Sequence, residues 1–455
     1  MLAPLALAQF ICSFAGSNMN VMINSISKDL GTDVKGVQNA ITIFLLVMAA
    51  LMIPGGKLTD KFGRTRLLTI GLTVYGLGAL IAALSPGLGV LILGYSLLQG
   101  IGTALLIPPV YILTTLYFTN VTSRAKAFGT ISAAGGIGAA AGPLIGGLIA
   151  SAISWRAAFI FQALVVAVIV LLSRRLKDPL PADPGRRFDV LGAVLSAVGL
   201  VLIVMGILAA SVNGWLTVIL VVAGALVLVW FFATVRAKER AGVEPLLSTT
   251  LFRSRTSNLG LVTQNLQWMM LLGTSFTVST FLQVVRGYNP IQTGVVFTAT
   301  TVGLLGSSLL AGRFAQRRTQ KTLIIGGFAI TAVGIAILIA LVGNTPSPWA
   351  FVPGLLVVGL GLGLMLTPSV NIVQGAFGDS LQGDISGLSR SVSNLGSSLG
   401  TAIAGTIIVA SLDGAGYRTA MIVLMVAGVV GVVFAALLPK EEKPVRVTAA
   451  AQARG

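Results

Sequence analysis

Residues 129–147 read GTISAAGGIGAAAGPLIGG. Gly138, Gly142 and Gly146 recur every four residues, so they share one face if the stretch is helical. A glycine face lets a second backbone approach to van der Waals contact, as membrane helices do. Pro143 removes a backbone donor among them and can kink the helix. Gly129 and Gly147 bound the stretch, and no charge interrupts it. So many glycines would weaken a helix in water. The stretch therefore reads as one span of a helical membrane protein, packed closely on a neighbour.

The rest of the chain agrees. Of 455 residues, 55% are apolar and 9% are charged, against about 25% charged in a soluble domain. Fourteen stretches reach membrane-spanning length: about 3–25, 37–55, 67–84, 89–116, 127–151, 157–173, 190–211, 215–235, 257–284, 291–312, 322–343, 349–374, 386–411 and 417–438. Period-two alternation is missing, which argues against a β-barrel. The start, MLAPLALAQF, lacks a basic leader and reads as the first span rather than a signal peptide. Of the 30 Lys and Arg, 25 fall in alternate loops and the tail, on the side of both termini. That side is expected to be cytoplasmic, in a bacterial or archaeal plasma membrane. The net charge of +17 then needs no nucleic-acid partner.

Several activities are excluded by composition. There is no histidine and one cysteine, Cys12, so no Cys/His metal site, His-based triad or intrachain disulfide can form. Gly56-Lys57 is the only Gly-Lys pair, and Leu51 and Leu58 stand where a P-loop needs Gly and Ser/Thr. Neither a cofactor nor a metal is expected, and the chain is not read as an enzyme.

Two long basic loops, 173–189 and 236–256, divide the spans six, two and six. The two sixes repeat each other. Gly129, Gly138 and Gly142 recur as Gly387, Gly396 and Gly400, offset by 258. Gly100, Gly102 and Pro109 recur as Gly359, Gly361 and Pro368, offset by 259. Gly56-Lys57 and Asp60-Lys61 match Gly312-Arg313 and Gln316-Arg317, offset by 256. The expected fold is an all-α integral membrane protein with two pseudo-symmetric six-helix bundles and a two-helix insert. Its parts are 1–173, the insert 174–256, 257–438 and a cytoplasmic tail 439–455. Such repeats are the usual plan of secondary transporters, with the site between the halves.

A second motif follows span 2: residues 55–66 read GGKLTDKFGRTR. Gly55, Gly56 and Gly63 permit a tight turn and close approach. Lys61, Arg64 and Arg66 hold the loop at one face, and Asp60 can meet an arginine or a helix N-terminus.

With these motifs the chain resembles the major facilitator superfamily, and more narrowly its fourteen-helix drug–proton antiporter branch. The 55–66 loop is similar to the superfamily's signature after helix 2. Gly129, Gly138, Gly142, Pro143, Gly146 and Gly147 fall on the antiporter signature of helix 5. Trp155-Arg156 and Phe159 resemble the stretch after it. The resemblance implies alternating access by two rocking bundles, with Asp60 and its basic neighbours locking one state. It also implies a cavity lined by helices 1, 4, 9 and 12. Two positions depart from the pattern: Ser96 stands where helix 4 carries an arginine, and Ala15 where helix 1 carries an aspartate.

Polar residues in the spans mark a path, because polar groups avoid lipid. Ser13, Ser17, Asn20 and Asn24 line one face of span 1. Span 4 offers Ser96, Gln99, Thr103 and Tyr111. Span 9 offers Gln264, Asn265, Gln267 and Trp268, and span 12 offers Asn371 and Gln374. All 13 Asp and Glu fall in loops or span ends, and no Arg or Lys is counted at membrane depth. An uncharged cavity for hydrophobic or amphipathic molecules is expected, with efflux as the leading function and a monomer as the working unit. Protons are the coupling ion the resemblance implies, but Ser96, Ala15 and the lack of a carboxylate at depth leave coupling open. The alternatives are a facilitator or uptake permease for a neutral solute, and a non-transporting membrane scaffold.

Overall fold

The computed structural model describes residues 2–118, 121–179, 182, 185, 188–210, 213–315, 318–342, 347–377 and 381–439. Among these there is no strand. Fourteen helices follow one another. They are α1 (Leu2–Asp29), α2 (Val34–Phe62), α3 (Arg64–Ala83), α4 (Leu88–Tyr117), α5 (Val121–Ala152), α6 (Trp155–Ser173) and α7 (Val190–Ala209). Then come α8 (Gly214–Arg240), α9 (Arg255–Val285), α10 (Pro290–Ala315), α11 (Gln320–Val342), α12 (Pro348–Gln374), α13 (Gln382–Ala410) and α14 (Gly414–Ala436). By length and composition 13 of them can cross a membrane. The remaining one, α10, runs into residues whose side chains lie outside the described set. The protein is thus an integral multi-pass membrane protein.

Helix starts are marked by side chains that accept the first free amides. Asp33 caps α2 through the Gly36 amide at 2.7 Å, and Asn213 caps α8 through Trp215. Ser154, Asp189, Ser254 and Asp413 do the same for α6, α7, α9 and α14.

Helices α1–α6 pack as one bundle and α9–α14 as another, and the repeated glycines make equivalent contacts in both. A Cβ at Gly138 would strike the backbone of Phe10 on α1. One at Gly396 would strike Asn265, and one at Gly400 Met269, both on α9. Gly102 lies on Gly71 and Tyr75 of α3; Gly361 lies on Gly327 and Thr331 of α11. Gly100 meets Phe44 of α2, and Gly359 meets Thr300 of α10. The sequence offset of about 256–259 is therefore a repeat of packing geometry.

The bundles meet along two seams. On one, Gly147 of α5 lies against Pro290 and Ile291 of α10, while Gly294 lies against Pro143. On the other, side chains bond carbonyls between α2 and α13: Ser391 to Ala49, Ser398 to Thr42 at 3.1 Å, and Gln38 to Ala402 at 3.2 Å. Helices α7 and α8 lie beside this second seam. Leu195, Phe231 and Val235 form an apolar cluster with the 246–251 segment and with Leu261, Val373, Ile385 and Leu388.

Candidate functional site

The fourteen helices alternate in direction. The face carrying the 55–66 stretch and the 236–254 loop is called here the basic face, and the other the far face. On α1, Gln9, Ser13, Gly16 and Asn20 share one side of the helix. Both ends of this stripe reach the other bundle. At Asn20 the helix tightens into a 3₁₀ turn, Met19–Met22. Such a turn shifts the hydrogen-bond register and presents a carbonyl sideways. The Asn20 carbonyl accepts from Gln283 Nε2 at 2.7 Å and from Ser279, both on α9. Gln283 Oε1 in turn accepts from the Asn24 amide at 3.2 Å. Gln283 and Ser279 are buried, in and beside a π-helical turn of α9. This network closes the far face between α1 and α9.

Towards the basic face, Gln9 donates to Ser13 Oγ at 3.2 Å and accepts from the Tyr111 hydroxyl at 3.3 Å. Arg390 of α13 donates to the same hydroxyl and stacks on the Tyr111 ring, 4.9 Å from its centre. The expectation of no basic side chain at depth is thus corrected. Arg390 lies eight residues inside α13, about 12 Å along it, next to Ser391, which bonds the middle of α2. Arg390 falls inside the span read at 386–411, but a tally of charges by loop groups it with the loop just before that span.

Between these two contacts, Gln9 and Asn20 are about 16 Å apart along α1. Gly16 faces the same way there, and a Cβ on it would meet nothing within 4 Å. Between the Asn20–Ser279–Gln283 contacts and the Gln9–Tyr111–Arg390 contacts, α1 is thus open at Gly16.

The other candidate polar residues divide. Ser17 bonds carbonyls of its own helix and abuts Gly142. Ser96 donates to the Ala40 carbonyl at 2.7 Å. Gln99 donates to Gln162 at 3.2 Å, and Tyr75 donates to the same oxygen at 2.6 Å. Thr103 bonds the Gln99 carbonyl. These three α4 residues are buried in polar contacts inside the first bundle. Gln264 accepts from Ser389, and Asn265 donates to the Val392 carbonyl, inside the second. Gln374 donates to Ser386 at 3.3 Å. Trp268 is half-buried and Asn371 exposed. Of the candidates, Asn20, Asn24 and Tyr111 take part in the contacts that link the two bundles. Gln9, Ser279, Gln283 and Arg390, which the sequence pattern does not single out, also take part in them. The face that Gln9 shares with Asn20 is a sequence signal for Gln9 alone.

The helix-5 glycines also divide. Gly138, Gly142 and Gly146 hold α5 on α1 at Phe10, Ser17 and Asn18, whereas Gly147 packs across the seam. Gly129 lies in α5, with nothing further described of it.

The 55–66 stretch, expected as a loop, is instead the end of α2 and the start of α3 with Gly63 alone between them, because its glycines pack helix on helix. Gly55 packs on the Ala104 carbonyl of α4, and Gly56 faces Pro108 loosely. Gly63 turns the chain at φ 91°. The Arg64 amide donates to Asp178 at 2.5 Å. Lys61 is half-exposed and Arg66 exposed, and the Asp60 side chain lies outside the described residues. The residue that crosses to the other bundle is Lys57. Its Nζ lies 2.9 Å from Asp384 of α13 and 3.3 Å from Glu244, in the loop after α8. Asp189 is buried nearby. It accepts from Lys238, from the Gly192 amide at 2.7 Å and from the Leu246 amide at 3.0 Å. Burial acts to raise its pKa, but Lys238 and the two amides outweigh it and hold the carboxyl below the usual range.

Two packed bundles joined by polar contacts near each face, with α1 open at Gly16 between those contacts, have the arrangement expected of a membrane transporter. The chain matches the model of the Major Facilitator Superfamily over residues 5–190 and 182–401, and it belongs to that family. It is a non-enzymatic transport protein acting on a small molecule. Among its relatives is the puromycin resistance protein pur8 of Streptomyces alboniger, 34% identical over 88% of this chain and 80% of the relative. Another is the probable actinorhodin transporter of Streptomyces coelicolor, 29% identical over 86% and 69%. A third is the multidrug efflux pump LfrA of Mycolicibacterium smegmatis, 28% identical over 90% and 80%. A crystal structure of a peptide transporter POT in complex with sulfate shares the fold, with a TM-score of 0.69 at 19% identity over 96% of this chain and 94% of that one.

Proposed function

We propose that the protein exports amphipathic small molecules across a bacterial plasma membrane, as a monomer, by alternating access. In this reading the basic face is cytoplasmic. Substrate enters the space before Gly16 from that side when the contacts of Lys57 and Arg390 part. It leaves on the far side when the Asn20–Gln283 network parts. The observation that carries the reading is the pair of breakable polar contacts, one set on each side of the open position at Gly16. Relatives named for puromycin resistance, multidrug efflux and actinorhodin transport support the export direction.

The test uses proteoliposomes with puromycin and hydrophobic dyes, under an imposed proton gradient. Saturable flux of at least one compound, absent from empty liposomes, is expected. No flux from folded protein for any compound would overturn the reading in favour of a membrane scaffold. A facilitator is the second reading, favoured because every Asp and Glu lies in a loop or near a helix end. An entrapped pH-sensitive dye separates the two. Proton movement with substrate supports antiport, and flux without it supports the facilitator.

A further inference from the structure

Arg390 is the one feature between the bundles that an uncharged pathway leaves unexplained. Its guanidinium carries five donors and a permanent positive charge. The hydroxyl and ring of Tyr111 engage it, and among the described residues no carboxylate pairs with it. A charge at membrane depth is costly and is normally paired or put to use. Tyr111 supplies a neutral acceptor and a π face, which leave the charge uncompensated. The guanidinium stands on the same level as Gln9 and Ser13. Further along α1 the position at Gly16 is open. The guanidinium thus offers a fork of donors beside the open position at Gly16, and such a fork matches the acidic group of an amphipath.

We infer that Arg390, with Gln9 and Tyr111, forms an anion subsite that takes the acidic group of an amphipathic substrate, whose apolar body occupies the space before Gly16. The anion replaces or shares the Tyr111 hydroxyl as the partner of Arg390. A carboxylate or sulfonate accepts two parallel N–H donors from one guanidinium, which a cationic or neutral molecule of the same shape cannot do. Since Arg390 also ties α13 to α4 through Tyr111, occupation of the subsite loosens that tie as it fills. The inference deepens the export reading, but its binding test does not depend on the direction of flux.

The test compares two probes of nearly the same body, the anion 8-anilinonaphthalene-1-sulfonate and the neutral N-phenyl-1-naphthylamine. Binding is read by fluorescence with the full chain in lipid nanodiscs, against empty nanodiscs. Arg390→Gln is expected to weaken the sulfonate about tenfold or more and the neutral probe less than about twofold. Arg390→Lys should restore part of the sulfonate affinity, and shows that the fold survives a change there. Gly16→Ile fills open space and should weaken both probes. Tyr111→Phe removes the hydroxyl but keeps the ring and should leave the preference for the anion in place. Equal losses for both probes in Arg390→Gln, or no loss, would overturn the subsite. So would a Tyr111→Phe variant that loses the anion as fully as Arg390→Gln, which would reduce Arg390 to a tie between helices. Sulfonate binding that depends on Arg390, in a folded protein that moves neither probe nor any compound of the proteoliposome panel, would retire the export reading and keep the subsite. Flux of the neutral probe with Arg390-independent sulfonate binding would do the reverse.

Discussion

Removing Lys57 should shift the balance between conformations by an amount the structure allows to be estimated. Its side chain is 16% exposed, that of Asp384 26% and that of Glu244 43%. An exposed ion pair is worth about 0.2–1 kcal/mol, so the Glu244 contact adds little once solvent screening is counted. The Asp384 contact is shorter and better shielded, and it crosses between the bundles. We assign the node about 1–2 kcal/mol, which is roughly a five- to thirtyfold change in a two-state ratio. Lys57→Ala should therefore favour an arrangement with the basic face open, by that factor. The buried Cys12 is the only cysteine, so a Cys12→Ala background accepts spin labels cleanly. Labels at the exposed positions Arg66 and Arg318, on opposite bundles, would report the separation by electron–electron resonance. A distribution unchanged by Lys57→Ala would refute the clamp, and a shift toward shorter distances would refute its sign. Lys57→Glu combined with Asp384→Lys should recover the original distribution.

Other outcomes follow from the same geometry. Ser279→Ala with Gln283→Ala removes the donors to Asn20 and should open the far face; labels on that side should separate while those on the basic face do not. Gly142→Leu and Gly147→Leu should behave differently, since the first overpacks α5 on α1 and the second pushes on α10. Gly142→Leu should cost about 1–3 kcal/mol of stability, seen as a lower melting temperature. Gly147→Leu should mainly shift the bundle equilibrium, and equal melting losses would argue against this division. Asp189, with its depressed pKa, stabilises the 236–254 loop above the unfolded carboxylate value of about 4, and this stabilisation is lost as pH falls through its lower folded value. Asp189→Asn should make that loop as protease-sensitive at pH 7 as the parent becomes in acid; a variant as resistant as the parent would mean the Lys238 pairing is not what holds it.

The architecture was legible because it is written in local terms. Fourteen apolar stretches each satisfy their own backbone in lipid. The glycine repeats gave the pairing of helices as well: Gly138 and Gly396 sit at matching places because a missing Cβ is needed wherever two backbones nearly touch. The site was less legible because a helical stripe says which residues share a side but not what that side faces. Ser96, Gln99 and Thr103 satisfy the pattern of a pathway as well as Asn20 does. The partners of Ser96 and Gln99, the Ala40 carbonyl and Gln162, are more than fifty residues away and belong to the same bundle, and Thr103 bonds the Gln99 carbonyl of its own helix. Nothing in the local sequence separates a polar group that binds α2 from one that faces a solute.

Arg390 and Lys57 were missed for a related reason. Counting charges by loop is a rule about topology, and it sorts each cation to a side of the membrane before asking what the cation touches. Lys57 satisfies that rule and also reaches Asp384 across the seam. Arg390 satisfies it nominally, yet α13 begins at Gln382 and carries the guanidinium inward to Tyr111. Ser386, Ser389, Ser391 and Ser393 around it make this the polar end of the span at 386–411, where a cation is easily counted with the neighbouring loop. The same serines supply bonds that let α13 pass close to α2 and α9, such as Ser391 to Ala49 and Ser389 to Gln264. The polar turn blurs the edge of the span and also builds the packing that holds the charge there. The two cations act at different levels of one seam: Lys57 ties α13 to α2 at the surface, and Arg390 ties it to α4 further in. In the proposed export reading a ligand coming from the basic face meets the Lys57 clamp before it meets Arg390, so the surface tie parts first and the ligand then competes with Tyr111 for the deeper one. A Lys57→Ala protein should therefore admit a ligand to Arg390 more readily than the parent, and an unchanged rate of anion binding would refute that order.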